Sequence, residues 1–133
     1  MIDLTAAISF LKRSVPDLQA IYLFGSHASG HVKADSDVDL ALLTATSIPP
    51  LHRWELAADC AVLLKCDVDL VVLRSANTIT QYQVVTEGRR VYTQDARLCD
   101  FFENLIMSEY LDFQMFLQPI INDIRQRGSI YGR

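Results

Sequence analysis

Cysteine, tryptophan and long apolar runs are all scarce in this chain of 133 residues, which has 3 cysteines and 1 tryptophan. Cys60, Cys66 and Cys99 are odd in number and follow no metal-ligand spacing. They read as reduced thiols, which argues against a disulfide framework and for a cytoplasmic location. No segment approaches the ~20 consecutive apolar residues of a membrane-spanning helix. The first residues lack the basic start and apolar stretch of a secretory signal. Basic residues are also short in supply, 12 Lys and Arg against 16 Asp and Glu, for a net charge of −4. That balance argues against direct nucleic-acid binding. Low-complexity segments are missing, and charged residues make up only 21%, so disorder is not expected. What is present is a 50% hydrophobic composition, enough for a real core. The expectation is one domain over 1–133, with its core in 1–93 and a C-terminal helix and tail in 95–133.

The stretch Ile21 to Leu43 organises the rest. Ile21 to Phe24 is a short apolar run that suits a strand buried on both faces. Gly25 ends it and allows close backbone approach to a ligand. Ser26 adds a hydroxyl and an amide, and a turn of this kind suits phosphate. A loop of ten residues leads to Asp37 and Asp39, which open a second strand running to Thr44. Two residues apart on a strand, they project from one face. Two carboxylates so placed repel unless a cation lies between them, and oxygen ligands of this kind suit Mg²⁺ shared with substrate phosphates. A lone Gly-Ser is usually a turn and a lone Asp-x-Asp is usually solvated. Together, in this order, they indicate chemistry on a nucleoside triphosphate. In the loop, Lys33 is a candidate phosphate contact. His27 and His31, four apart, suggest metal only weakly, since the carboxylates already explain it.

Elsewhere the patterns are helical with short strands between. Leu4, Ala7, Ile8 and Leu11 share one face of a helix from Asp3, a plausible cap, to about Ser14, closed by Pro16. A second helix is expected from about Pro50 to Leu64, with Leu51, Trp54, Ala58, Ala61, Val62 and Leu64 as its apolar positions. Trp54 is expected to be packed, and Arg53 and Glu55 solvated. Asp67 to Leu73 reads as a third strand and repeats the tetrapeptide Asp-Val-Asp-Leu, a repetition taken as chance because nothing around it repeats. Asp67 and Asp69 share a face, and a carboxylate from this strand meeting Asp37 and Asp39 would complete a two-metal site. Arg74 is either a phosphate clamp or a surface ion-pair partner. Ser75 or Asn77 caps a helix that Gly88 ends. Arg89 and Arg90 precede a short apolar piece, Val91-Tyr92. From Asp95 a long helix runs to about Gln118, with Pro119 kinking or interrupting it and a basic tail from Arg125 to Arg133. Ile106, Tyr110, Phe113, Leu117, Ile120 and Ile124 form a heptad-like stripe. A thick core contact is the favoured reading of this helix, a docking face the alternative.

Gly25-Ser26, ten residues, then Asp37-Val38-Asp39 resembles the signature of the DNA polymerase beta-like nucleotidyltransferase superfamily. The small size is similar to its minimal nucleotidyltransferase branch. Arg53 to Ala57, Asp67 to Ala76 and Gln83 to Gly88 resemble the MntA-type antitoxins of HEPN–MNT toxin–antitoxin pairs, a likeness covering about Leu18 to Tyr92. The resemblance implies an α/β (α+β) polymerase beta-like fold, a small mixed sheet of three or four strands flanked by helices. It implies Asp37, Asp39 and Asp69 as catalytic and metal-holding residues for two Mg²⁺ ions, Asp69 being the third ligand. It implies Gly25, Ser26 and Lys33 as nucleotide-binding residues. Relatives often carry a basic residue soon after Gly-Ser, where this chain has Ser29; Lys33 is placed to take that part. The implied activity is transfer of AMP from ATP to a tyrosine of a cognate HEPN ribonuclease toxin of the HepT kind, with which the chain would form a hetero-oligomer. Attack at the α- rather than the γ-phosphorus comes from the resemblance alone.

Two other readings remain open at this point. One is a binding module that neutralises its partner by occlusion through the C-terminal helix. The other is an adenylyltransferase for a small molecule, for whose extra binding structure this chain has little room.

Overall fold

Strand β1, Leu18–Phe24, has six of its seven residues buried and forms the middle of the molecule. The computed structural model describes residues 2–29 and 37–127. In chain order the remaining elements are α1 (Thr5–Ser14), a short α2 (Ser26–Ser29), β2 (Val38–Thr44), α3 (Pro50–Leu64), β3 (Val68–Val72), a 3-10 turn over Leu73–Ser75, α4 (Thr78–Glu87), β4 (Arg89–Thr93) and α5 (Ala96–Arg127). The sheet order is β3-β2-β1-β4. β1 runs antiparallel to β2 and β4, and β2 runs parallel to β3. The resemblance implies a mixed sheet of three or four strands with flanking helices, and the sheet has four.

Alternation along the strands divides two cores. Ile21, Leu23, Leu40, Leu42 and Leu70 face α1 and α3, where they meet Leu11, Leu56 and Cys60. Tyr22, Phe24, Ala41 and Leu43 face the other way, toward Val84 of α4 and Phe102 and Ile106 of α5. Period-two alternation over apolar residues gives a sheet covered on both faces. Burial pushes the Cys60 thiol up to about 11, as expected of an inert core cysteine.

Several boundaries differ from the sequence reading. β1 begins at Leu18 rather than Ile21, because the polar Gln19 still pairs through its backbone: its carbonyl accepts from the Gln94 amide at 2.9 Å. Asp3 does serve the start of α1, accepting from the Thr5 amide at 3.0 Å and its hydroxyl at 2.6 Å. Asn77, not Ser75, caps α4, accepting from the Thr80 amide. Arg89 and Arg90 lie inside β4, where Arg90 pairs with Asp100 at 2.7 Å and Glu103 at 3.0 Å. Pro119 does not end α5, which continues to Arg127. One missing N–H costs one hydrogen bond while intact turns on either side carry the helix on.

Two packing expectations are corrected. Trp54 is 68% exposed, not packed, and Val62 is 77% exposed, because the stripe of α3 that meets the sheet is centred on Leu56 and Cys60, with Ala57 and Leu64 partly buried beside them. The thick core contact of α5 holds for its first third alone: Cys99, Phe102 and Ile106 are buried, while Leu111, Phe113, Met115, Phe116 and Ile120 are exposed. Past Ile106 the helix has outrun the sheet and keeps only a one-sided contact with α4, where Tyr110 stacks on Tyr82 with ring centres 3.6 Å apart.

Candidate active site

The end of β1 and the beginnings of β2 and β3 meet at one edge of the sheet. Antiparallel pairing puts Phe24 opposite Asp39, so the Gly25-Ser26 corner emerges beside the start of β2. Parallel pairing puts Asp39 opposite Asp69. The two carboxylates therefore project from the same face of adjacent strands, about 4.8 Å apart along the ladder. Asp37, two residues before Asp39, shares that face. The face is the one that α4 and α5 cover farther along; at this end Asp37 and Asp69 are exposed and Asp39 half-buried.

The carboxylates sense one another. The Asp39 carboxyl is raised above the usual carboxylate range, first by partial burial, then by the charges of Asp69 and Asp37, with His27 opposing. Among the described residues no three carboxylate, imidazole or thiolate groups are gathered into a ready ligand set. The arrangement is a row of like charges, and their repulsion, which adds to the burial of Asp39, is what a cation would relieve. All-oxygen donors of this kind fit Mg²⁺ better than zinc or copper.

Gly25 adopts φ +74, and a side chain built there would collide with the Asp39 carboxylate. Its carbonyl accepts from the Ala28 amide at 3.1 Å, which folds the backbone into the one-turn helix α2 headed by Ser26. The corner and the carboxylate row are thus in direct contact, as phosphate binding next to metal binding requires.

Other candidates fall differently. Lys33 and His31 lie outside the described residues. Asp67 is exposed at the start of β3, and its carbonyl takes the Val38 amide at 2.9 Å, holding β2 and β3 together. Arg74 forms no ion pair among the described residues and is held by protein groups instead. Its Nε donates to the Thr44 carbonyl at 2.6 Å, a terminal nitrogen donates to Gln19 Oε1 at 3.1 Å, and its guanidinium lies 4.9 Å from the Phe102 ring centre. Arg53, expected to be solvated, donates to the Leu70 carbonyl at 3.0 Å. It and Trp54 border a hollow of about 350 Å³ that also reaches Asp67 and Asp69. Nothing in apolar periodicity signals that hollow; it follows from α3 lying beside the outermost strand.

Residues 6–97 match the family described as polymerase beta, nucleotidyltransferase. The chain belongs to that family. As a polymerase beta nucleotidyltransferase it has close relatives. Over 119 residues it is 43% identical to the protein adenylyltransferase MntA of Shewanella oneidensis strain MR-1, covering 88% of this chain and 84% of that protein. A crystal structure of a toxin–antitoxin with AMP-PNP superposes with a TM-score of 0.86 at 39% identity, over 93% of this chain and 99% of that one. A tri-AMPylated Shewanella oneidensis HEPN toxin in complex with MNT antitoxin gives a TM-score of 0.77 at 38% identity, over 91% and 94% of the two chains. The family match ends two residues into α5, so the exposed length of that helix lies outside the nucleotidyltransferase core.

Proposed function

We propose that this chain is an antitoxin that transfers AMP from ATP to a tyrosine of a cognate HEPN toxin, inactivating it, in the cytoplasm where ATP is available. The observation that carries this reading is the register pairing of Asp39 with Asp69 beside the Gly25-Ser26 corner. The similarity to the MntA adenylyltransferase, and to antitoxin chains solved with AMP-PNP and with an AMPylated HEPN toxin, supplies the donor and the acceptor.

Gly25 and Ser26 hold the outer phosphates of ATP, the glycine by letting the backbone approach closely and the serine through its hydroxyl. Asp37, Asp39 and Asp69 would hold two Mg²⁺ ions, which would supply charge neutralisation at the phosphates and favour ionisation of the attacking hydroxyl. Asp69, on the outer strand, takes the phenolic proton as the tyrosine oxygen bonds to the α-phosphorus. The bond between that phosphorus and the bridging α–β oxygen breaks, and pyrophosphate leaves. Lys33 is assigned a supporting contact to the triphosphate. The added AMP brings a charged, bulky group to the toxin surface.

The test is label position. With ATP and Mg²⁺, the co-encoded toxin should gain label from α-labelled ATP and none from γ-labelled ATP. Label from the γ position, or from neither, contradicts the reading.

A second reading has one observation in its favour. The exposed Leu111, Phe113, Met115 and Phe116 of α5 suit a binding module that occludes its partner. An Asp69→Asn variant separates the two, since occlusion survives it and transfer does not.

A further inference from the structure

Glu103 of α5 is held by two strands at once. Tyr22 of β1 and Arg90 of β4 lie opposite one another in the sheet. Both reach the same carboxylate oxygen, Glu103 Oε2, the Tyr22 hydroxyl at 2.7 Å and the Arg90 Nε at 3.0 Å. Arg90 also pairs with Asp100 at 2.7 Å. The rest of the grip on the proximal helix is apolar, through the buried Cys99, Phe102 and Ile106. Apolar burial is non-directional and leaves a helix free to slide or tilt. A carboxylate between two fixed donors does not, because hydrogen bonds weaken steeply off their angle.

The direction matters because of where the helix goes. The Cys99 thiol meets the Gln19 carbonyl at 3.9 Å and Glu103 meets Tyr22, so α5 travels the way β1 does, toward Gly25. Beyond Tyr22, β1 has about 7 Å left. Beyond Glu103, α5 continues to Arg127, about 36 Å. It therefore passes the catalytic end of the sheet on the face that carries Asp39 and Asp69, steadied on one side by the stacked rings of Tyr82 and Tyr110. Leu111, Met115, Phe116 and Ile120 are exposed along that length. The family match ends at residue 97, yet the two toxin–antitoxin chains superposed above match 93% and 91% of this chain, which takes in most of α5. The projecting helix is thus shared with chains that hold a toxin.

We infer that Glu103 is a positioning residue for AMP transfer: it aims the free length of α5, and the toxin seated on it, at the carboxylate row. The inference rests on the transfer reading and adds what orients the acceptor. Glu103 acts through the helix it belongs to. A tilt of about 5° at Glu103 moves the far end of a helix of this length by about 3 Å. A misplacement of about 1 Å at the reacting atoms costs on the order of 100-fold. An apolar residue at this position would be buried as well; the carboxylate with two donors adds a single direction.

Steady-state AMP transfer to the full-length co-encoded toxin, with hydrogen exchange on the same complex, tests this. Glu103→Ala should lower kcat at least tenfold, while KM for the toxin and affinity for AMP-PNP stay within twofold. Arg90→Gln, which removes one donor from a partly exposed position, should lower kcat at least threefold. Glu103→Gln keeps an oxygen for both donors and should retain at least a third of wild-type turnover. Asp17→Asn loses a contact at the end of the sheet away from the carboxylates, so it controls for stability alone and should keep wild-type turnover. In the wild type, toxin should slow exchange both between Leu111 and Ile120 and at the corner from Gly25 to Ala28. In Glu103→Ala the first protection should stay and the second should go. Unchanged kcat in both Glu103→Ala and Arg90→Gln, or an equal loss in Asp17→Asn, overturns the inference. So does a rise in KM in place of the fall in kcat, or a bound toxin that leaves α5 unprotected. Both protections in a wild type that transfers no AMP defeat the transfer reading and leave the aiming standing.

Discussion

Gly25 and Asp39 occupy adjoining space: the glycine's missing side chain is where the carboxylate sits. The phosphate corner and the carboxylate row are therefore one structural unit. In a Gly25→Ala variant, keeping the left-handed backbone costs about 1–2 kcal/mol and the new methyl must also push Asp39 out of line. Displacement by even an ångström costs on the order of 100-fold. The expected result is a loss of AMP transfer of at least that size with circular dichroism unchanged; near-native turnover would refute the contact.

Tyr22 is tied to α5 on the face away from α1. Its hydroxyl donates to Glu103 Oε2 at 2.7 Å, and Arg90 Nε forms an ion pair with the same oxygen at 3.0 Å. Burial, then the Glu103 hydrogen bond, raise the Tyr22 phenol far above its ordinary value. A raised pKa means that the native state favours the neutral phenol. The stability it contributes is complete below about pH 10, the unfolded value, and is lost as pH rises beyond it. Tyr22→Phe should cost about 1 kcal/mol near neutrality and flatten the alkaline limb of the stability profile. Chemical denaturation at pH 7 and at pH 11 checks both parts.

Asp17 behaves in the opposite sense. The Thr46 hydroxyl and amide donate to its Oδ2 at 2.5 and 2.8 Å, tying the turn after α1 to the end of β2. The Thr46 hydroxyl is the main reason the Asp17 carboxyl lies below its ordinary value. A lowered pKa gives stability that is present above about pH 4 and is lost as pH falls through the folded value. Asp17→Asn should lower the melting temperature at pH 7 by a few degrees and leave less difference at pH 3. An equal loss at both values would show that the ionised carboxylate is not the source.

Met115 and Phe116 are 74% and 69% exposed on α5. Met115→Glu with Phe116→Glu should leave the melting temperature of the chain within about 1 °C, because exposed substitutions away from caps and cores rarely cost more than ~0.5 kcal/mol. If this length of helix meets the toxin, affinity for it should fall at least tenfold by calorimetry. Unchanged affinity would assign the apolar surface no part in assembly.

The pair Asp37 and Asp39 was legible from spacing alone, because a strand's period of two is short-range and strict. The pairing of Asp39 with Asp69 was not, since strand order is set by the α3 crossover. The repeated Asp-Val-Asp-Leu, which looks accidental in the sequence, proves to be two neighbouring strand starts in register: Val38 faces Val68, Asp39 faces Asp69 and Leu40 faces Leu70. Two strands under the same core and beside the same site meet the same demands. Trp54 misled in the other direction. Apolar character suggested burial, but its place on α3 lies off the Leu56–Cys60 stripe. Arg74 looked like chemistry and is a brace, because a guanidinium just beyond a strand finds carbonyls as readily as phosphates.

The central claim is that the carboxylate on the outer strand works with the pair on its neighbour to move AMP. Intact-mass measurement of the co-encoded toxin, after incubation with ATP, Mg²⁺ and either the wild-type chain or Asp69→Asn, tests it most directly. Wild type should add whole increments of one AMP mass, and Asp69→Asn, still folded and still bound to the toxin, should add none. Equal increments from both proteins, or none from the wild type, would contradict the account.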